Sequence, residues 1–180
     1  FLVYTLNGLM CGMAGLILTA RLGSAQSTSG TGIEMDAIAA DEKDRIYCGH
    51  DLQHALDVAR IMRIYNGELA LGISTDLIYA AALTHDIGRA VQYRTGVPHD
   101  RASAELAEQI LPACGFDEAE TRQIAEAIRH HREYEKGSDI SRTLGTLLFR
   151  ADKESRLCFL CPAADTCKWP DSKKNHQLRI

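Results

Sequence analysis

The chain has 180 residues, 46% hydrophobic and 24% charged, with a formal net charge of −4. That is the balance of a soluble globular protein, long enough for one ordinary domain plus a tail or two and for a buried core. Its 20 basic residues are scattered and only 6% of residues are aromatic, which excludes the electrostatic footprint of a nucleic-acid or anionic-membrane binder and the stacking platforms that single strands require.

Residues 1–20 carry no charged side chain from Phe1 to Ala20 and meet the length for one membrane-spanning helix. A signal peptide competes with that reading, but a basic n-region and an initiator Met are lacking. The small, polar run 22–32 reads as a loop. From Asp41 the composition becomes that of a helical domain. Ile46, Ala55, Val58, Ala59, Ile61, Met62 and Tyr65 recur at helical spacing over 42–66, and Asn66-Gly67 stops the run. A second helix opens at Ser74, a good N-cap, and ends at His85. Residues 90–98 read as a connector ending in Pro98. A helix from His99 carries Ala102, Leu106 and Ile110 and is stopped by Pro112 and Gly115. Asp117 with Glu120 forms a capping pair for a helix through Ile124, Ala127 and Ile128 to His130-His131. After a turn at Gly137-Ser138-Asp139, a last helix carries Leu144, Leu147, Leu148 and Phe149 to Asp152 and thins out around Cys158. No stretch alternates as a strand does. The expected fold class is all-α, with residues 1–40 as an apolar segment and loop, 41–157 as the helical domain and 158–180 as a Cys-containing tail.

The polar residues within this pattern carry the chemistry. His54 lies on the stripe of Val58, Ile61, Met62 and Tyr65. His85 continues that of Ile78 and Ala81/Ala82, His131 that of Ile124, Ala127 and Ile128, and Asp152 that of Leu144, Leu148 and Phe149. His99 heads a stripe of its own. Singly, each histidine reads as a hydrogen-bonded core residue, and Asp152 beside Lys153 and Glu154 as a solvated charge. Together they are hard to bury unless they share something positive, and helical bundles build metal sites from side chains on facing helices. Adjacent His85 and Asp86 supply one nitrogen and one oxygen ligand, and Gly88 lets the backbone pass close to whatever is bound. His50 and His130 read as core residues or as partners that orient a ligand through the other ring nitrogen.

His54 followed by Val58-Ala59-Arg60, then His85-Asp86-Ile87-Gly88, then Asp152 in Arg150-Ala151-Asp152-Lys153, resembles the HD-domain metal-dependent phosphohydrolases over about 44–157. The resemblance implies a helical bundle in which His54, His85, Asp86 and Asp152 hold one metal. It implies a second metal on His99 and His131, with Asp86 between the two. His131, three residues past Ile128, suits that role better than His130. Mixed imidazole and carboxylate ligands suit Fe, Mn, Zn, Co or Ni. Such a divalent cation lowers the pKa of a coordinated water toward neutrality and supplies the nucleophile for a phosphate ester or anhydride, a nucleotide among the candidates. Asp86, Arg89 and Lys153 are the candidate catalytic residues, with Arg132 a further candidate to clamp phosphate. The expected partner is a small phosphorylated substrate, with no nucleic-acid polymer, and the expected compartment is the cytoplasm, since six cysteines are too sparse for a disulfide scaffold. A non-catalytic HD module serving as a metal-binding sensor is the alternative.

The run from Gly12 to Gln26, continuing through Gly30-Thr31-Gly32 and Asp36-Ala37-Ile38-Ala39-Ala40, resembles part of the ribose-type permeases of ATP-binding-cassette transporters. One span cannot form a translocation path, so this segment is expected to be a fusion or gene-boundary remnant; a membrane-tethered or transport-related protein is the reading it leaves open. Cys158, Cys161 and Cys167 could form a structural zinc site completed by Cys48 or His176, or be reduced cysteines of a tail packed on the domain. Lys173-Lys174 and the remainder to Ile180 read as solvated tail.

Overall fold

A computed structural model of the chain describes residues 30–132 and 143–178. The apolar stretch 1–20 and the expected turn at 137–139 lie outside the described residues. Within them the fold is all-helical. The helices are α1 (Gly30–Asp41), α2 (Leu52–Glu68), α3 (Thr75–Thr84), α4 (Arg89–Thr95), α5 (His99–Ile110), α6 (Glu118–His130) and α7 (Leu144–Glu154), followed by three single 3-10 turns at Cys158–Leu160, Ala164–Thr166 and Asp171–Lys173. None of the described helices is long and apolar enough to cross a membrane.

Local chemistry fixes most of the helix starts. Asp51, Ser74 and Thr143 each cap the helix that follows, accepting from the backbone N–H of His54, Leu77 and Thr146. Asp117 and Glu120 close a reciprocal capping box, with bonds of 2.8 and 3.0 Å. Helix α2 packs on α3 and α7, and α6 packs on α3, α5 and α7. Between them Val58, Ile61, Met62, Ile78, Ile124, Ile128, Leu147 and Leu148 are fully buried.

Five expectations are corrected. The run 42–66 is not one helix: α2 begins only at Leu52, and Ile46 is 65% exposed. The Asp51 cap sets the start, and the preceding segment folds back so that both His50 N and His50 Nδ1 bond the Glu42 carboxylate. The connector 90–98 contains α4, a helix of under two turns ended by Gly96 at φ 82°; it is too short for a periodic pattern to be visible. The buried face of α5 is Ala102, Ser103, Ala104 and Ala107, while Leu106 and Ile110 are only half-buried. Small residues are needed there because Gly88 lies against this face: a Cβ on Gly88 would sit 2.4 Å from Ser103 N and 2.7 Å from Ala102 Cβ. Gly88 has an ordinary φ of −79°, so its lack of a side chain admits helix α5 rather than a ligand. Finally, the end of the chain is tied down as far as Asn175, whose amide donates to the carbonyls of Lys153 and Arg156 at 2.7 and 2.9 Å.

Helix α1 runs across residue 40, packs on α4, and buries Ile38. Among its described residues, the permease-like stretch therefore contributes one side chain, Ile38, to the packed interior.

Candidate metal centre

Every residue of the expected constellation sits at or near a helix end. His54 is in the first turn of α2. His85 and His131 follow the last residues of α3 and α6, His99 opens α5, and Asp152 is near the end of α7. The helices pack so that these ends meet, and all six side chains, with Asp86, are buried. His54, His85, Asp86 and Asp152 each offer a ligand atom, and these atoms lie within 4.8 Å of one another; Asp86, His99 and His131 form a second such group.

The rings are oriented by a repeated device. His85 Nδ1 bonds the Ala82 carbonyl at 2.7 Å and His131 Nδ1 the Ile128 carbonyl at 2.6 Å. A helix leaves its last carbonyls without partners, and a histidine at the cap can fold back onto one of them. A carbonyl only accepts, so Nδ1 carries the proton and Nε2 is left as a bare lone pair. His99 does the same through Gln92 Oε1 at 2.8 Å. For His54 the partner is Ser155 Oγ at 3.2 Å, and that hydroxyl donates to the Asp152 carbonyl at 2.8 Å, so it accepts from the ring. The Nε2 atoms of His54, His85 and His99, together with Asp86 Oδ2, are buried without a hydrogen-bond partner. Native interiors rarely leave such groups unmet. Four of them facing a common space, in a set of imidazoles and carboxylates, fit a divalent transition metal.

Asp86 divides its oxygens. Oδ2 lies 3.1 Å from His85 Nε2 and 3.6 Å from His54 Nε2, and Oδ1 lies 3.3 Å from His99 Nε2 and accepts from Arg89 Nε at 2.9 Å. Asp152 Oδ1 lies 3.3 Å from His54 Nε2 and accepts from Arg156 at 3.1 Å, while Lys153 Nζ reaches Oδ2 at 2.5 Å. Burial opposes ionisation of both carboxyls. His85, His54 and Arg89 outweigh it at Asp86, and His54, Arg156 and Lys153 at Asp152, holding both well below the usual range. Burial pushes His99 down to about 3 and His131 to about 4, so both rings are neutral at pH 7. His85 is pushed down by burial but, lying between Asp86 and Asp152, is raised on balance. Anionic carboxylates and neutral imidazoles are the protonation states that bind metal.

The other sequence candidates divide. His50 is buried with Nε2 4.0 Å from Asp86 Oδ2, and its Nδ1 is held at 2.5 Å by Glu42, a carboxylate the sequence reading did not single out. His130 faces Glu126 at 3.0 Å, away from the cluster. Arg132 Nη1 lies 3.8 Å from Asp100 Oδ1 and is half exposed. Ser155, Arg156 and Gln92 were also missed, and all three orient ligands. Arg156 follows Asp152 by one helical turn, a spacing that could have been read as an ion pair.

The HD-domain profile matches residues 51–160. This chain belongs to the HD-domain family. It is 42% identical over 137 residues to an uncharacterized protein of Clostridium beijerinckii, a match covering 76% of this HD-domain chain and 84% of that one. The crystal structure of a predicted HD superfamily hydrolase from an uncultured Thermotogales bacterium shares the fold with a TM-score of 0.58 at 24% identity, over 79% of this chain and 78% of that one. A separate match, 62% identical over 39 residues, is to the ribose import permease protein RbsC of Escherichia coli; it spans 22% of the HD-domain chain and only 12% of the permease.

Proposed function

We propose that this HD-domain chain is a metal-dependent phosphohydrolase cleaving a phosphate ester or anhydride of a small molecule, with nucleotides among the candidate substrates. The observation that carries the reading is the convergence of bare, buried Nε2 atoms on two carboxylates that neighbouring cations keep ionised. His54, His85, Asp86 and Asp152 would hold one divalent cation, and Asp86, His99 and His131 a second. Bound there, the metal supplies Lewis acidity toward a phosphoryl oxygen and a lowered pKa for water. The chain's own residues set the geometry. Ser155, Ala82, Gln92 and Ile128 lock the four rings with Nε2 inward, and Arg89 and Arg156 hold the two carboxylates in place. Arg89 is thus a positioning residue for Asp86. Lys153, whose side chain is 40% exposed beside Asp152, is the cation best placed to meet an arriving phosphate.

The test is phosphate release by protein loaded with Mn²⁺ or Fe²⁺, on p-nitrophenyl phosphate and a panel of nucleotides. Turnover that disappears in Asp86→Asn and His54→Ala is expected. Metal-replete protein that binds nucleotides yet releases phosphate from none of them would instead make the domain a sensor.

A further inference from the structure

Beside the histidine cluster, with His54, Ser155 and Arg156 in the shared wall, lies a cavity of about 270 Å³. Cys48, Cys158, Cys161 and Cys167 all line it, and all are free thiols. Three come from consecutive turns of the tail, with Cys161 N bonding the Cys158 carbonyl at 3.2 Å and Cys167 N the Ala164 carbonyl at 3.4 Å. The fourth comes from the segment before α2 and is delivered by bonds on either side of it. Tyr47 Oη donates to the Thr166 carbonyl at 3.2 Å, and Arg156 Nη1 to the Gly49 carbonyl at 3.0 Å.

The tail around these thiols has little apolar core to order it. Its helical content is three single 3-10 turns, Ala163 is its one buried apolar residue among those described, and Phe159 and Leu160 are 43% and 69% exposed. Segments that cannot bury a core are held by disulfides or metal, and here no disulfide is formed. The thiols are not drawn together as a single zinc ion would hold them. A single zinc ion with bonds of about 2.3 Å draws its tetrahedral sulfurs to about 3.8 Å apart. Among the described residues, the groups of three or more ligand atoms within 4.8 Å of one another are the two at the histidine cluster, and they include no sulfur. An iron–sulfur cluster keeps its ligand sulfurs farther apart, because they bind different irons. Arg156 and Lys174 also line the cavity, and their positive charge suits a group with four thiolates.

We propose that Cys48, Cys158, Cys161 and Cys167 ligate an iron–sulfur cluster in this cavity. Each thiol gives up its proton and binds iron through sulfur, the iron and inorganic sulfide coming from outside the chain. The cluster staples the tail to the segment before α2. It also braces Arg156, which spans from Gly49 to the Asp152 carboxylate, and so supports the neighbouring metal centre.

The full chain, reconstituted anaerobically with ferrous iron and sulfide, decides the matter. Stoichiometric acid-labile sulfide and a visible absorption bleached by dithionite are expected. Both should be lost in Cys48→Ser and in Cys161→Ser but kept in Cys114→Ser, whose thiol is buried away from the cavity. Sulfide belongs only to a cluster, so iron bound at the histidines does not confuse the readout. Wild-type protein without sulfide, zinc bound through these thiols in its place, or sulfide surviving Cys48→Ser would overturn the proposal. Should the variants not fold, alkylation of wild type resolves it. Reconstitution must protect all four thiols together, and a Cys48 labelled as fast as before refutes the site.

Discussion

Replacing Gly88 by Ala separates two explanations of that residue by the sign of the effect. At φ −79° the backbone tolerates any side chain, so if conformation alone mattered Gly88→Ala would stabilise the protein by about 0.4–1 kcal/mol through the unfolded state. The added Cβ, however, meets backbone. It would lie 2.4 Å from Ser103 N and 2.8 Å from Ala102 C, when ordinary contact needs roughly 1 Å more. Overpacking costs about 1–3 kcal/mol, and the upper end applies because a helix backbone cannot swing aside as a side chain can. Moving α5 also stretches the 2.9 Å bond from Gly88 N to Ser103 Oγ, adding about 1 kcal/mol. A net loss of roughly 3 kcal/mol is expected. At about 2–4 °C per kcal/mol for a chain of this size, the melting temperature should fall by on the order of 10 °C. Displacing α5 carries His99 away from Asp86 Oδ1, now 3.3 Å from it, so Mn²⁺ titration should lose affinity at the His99–His131 position first. Calorimetry of metal-free and metal-loaded protein reads both effects. An unchanged or raised melting temperature would refute the close-approach account.

Ser155→Ala removes the hydroxyl that fixes the His54 tautomer; metal affinity measured by isothermal titration should drop roughly 10–100-fold with helical content unchanged. In metal-free protein, burial holds His99 at about 3 and His131 at about 4, below the unfolded value of about 6.5. The unfolded chain therefore binds more protons as pH falls from about 6.5 toward about 4, and stability drops with it, while the contribution of His85, raised on folding, is complete below about 6.5 and does not offset that fall. Urea unfolding with EDTA present should show a loss on the order of 3 kcal/mol between pH 7 and 5, and a flat profile would contradict the neutral-ring assignment. Ala70, exposed at φ 50°, occupies a left-handed conformation costing about 1 kcal/mol, so Ala70→Gly should raise the urea midpoint with the m-value unchanged.

Most of the site could be read from the chain because ligands and core share helical stripes. His54 follows the spacing of Val58 and Ile61, His131 extends that of Ile124 and Ile128, and Asp152 that of Leu144 and Leu148. Periodicity reports which way a side chain points along its own helix. It carries nothing about what another helix brings up to it. That is why Glu42 beneath His50, Gln92 beneath His99 and Ser155 beneath His54 went unread, each being a partner supplied across a tertiary contact. For Cys48 the sequence leaves a choice with His176 as the fourth member of the tail cysteines' group, and that choice is made only by the cavity that Cys48 lines and His176 does not. Leu106 misled for a complementary reason. A hydrophobic stripe identifies the larger residues, whereas the face of α5 against Gly88 is selected for smallness.

The split allegiance of the Asp86 carboxyl means that its two histidine groups are not independent vessels. Charge that Asp86 gave to an ion held by one group would no longer be offered to an ion held by the other. Occupancy should accordingly arrive in two unequal steps, the first tight and the second weak, and a preparation short of metal should hold singly filled molecules rather than an even mixture of empty and full ones.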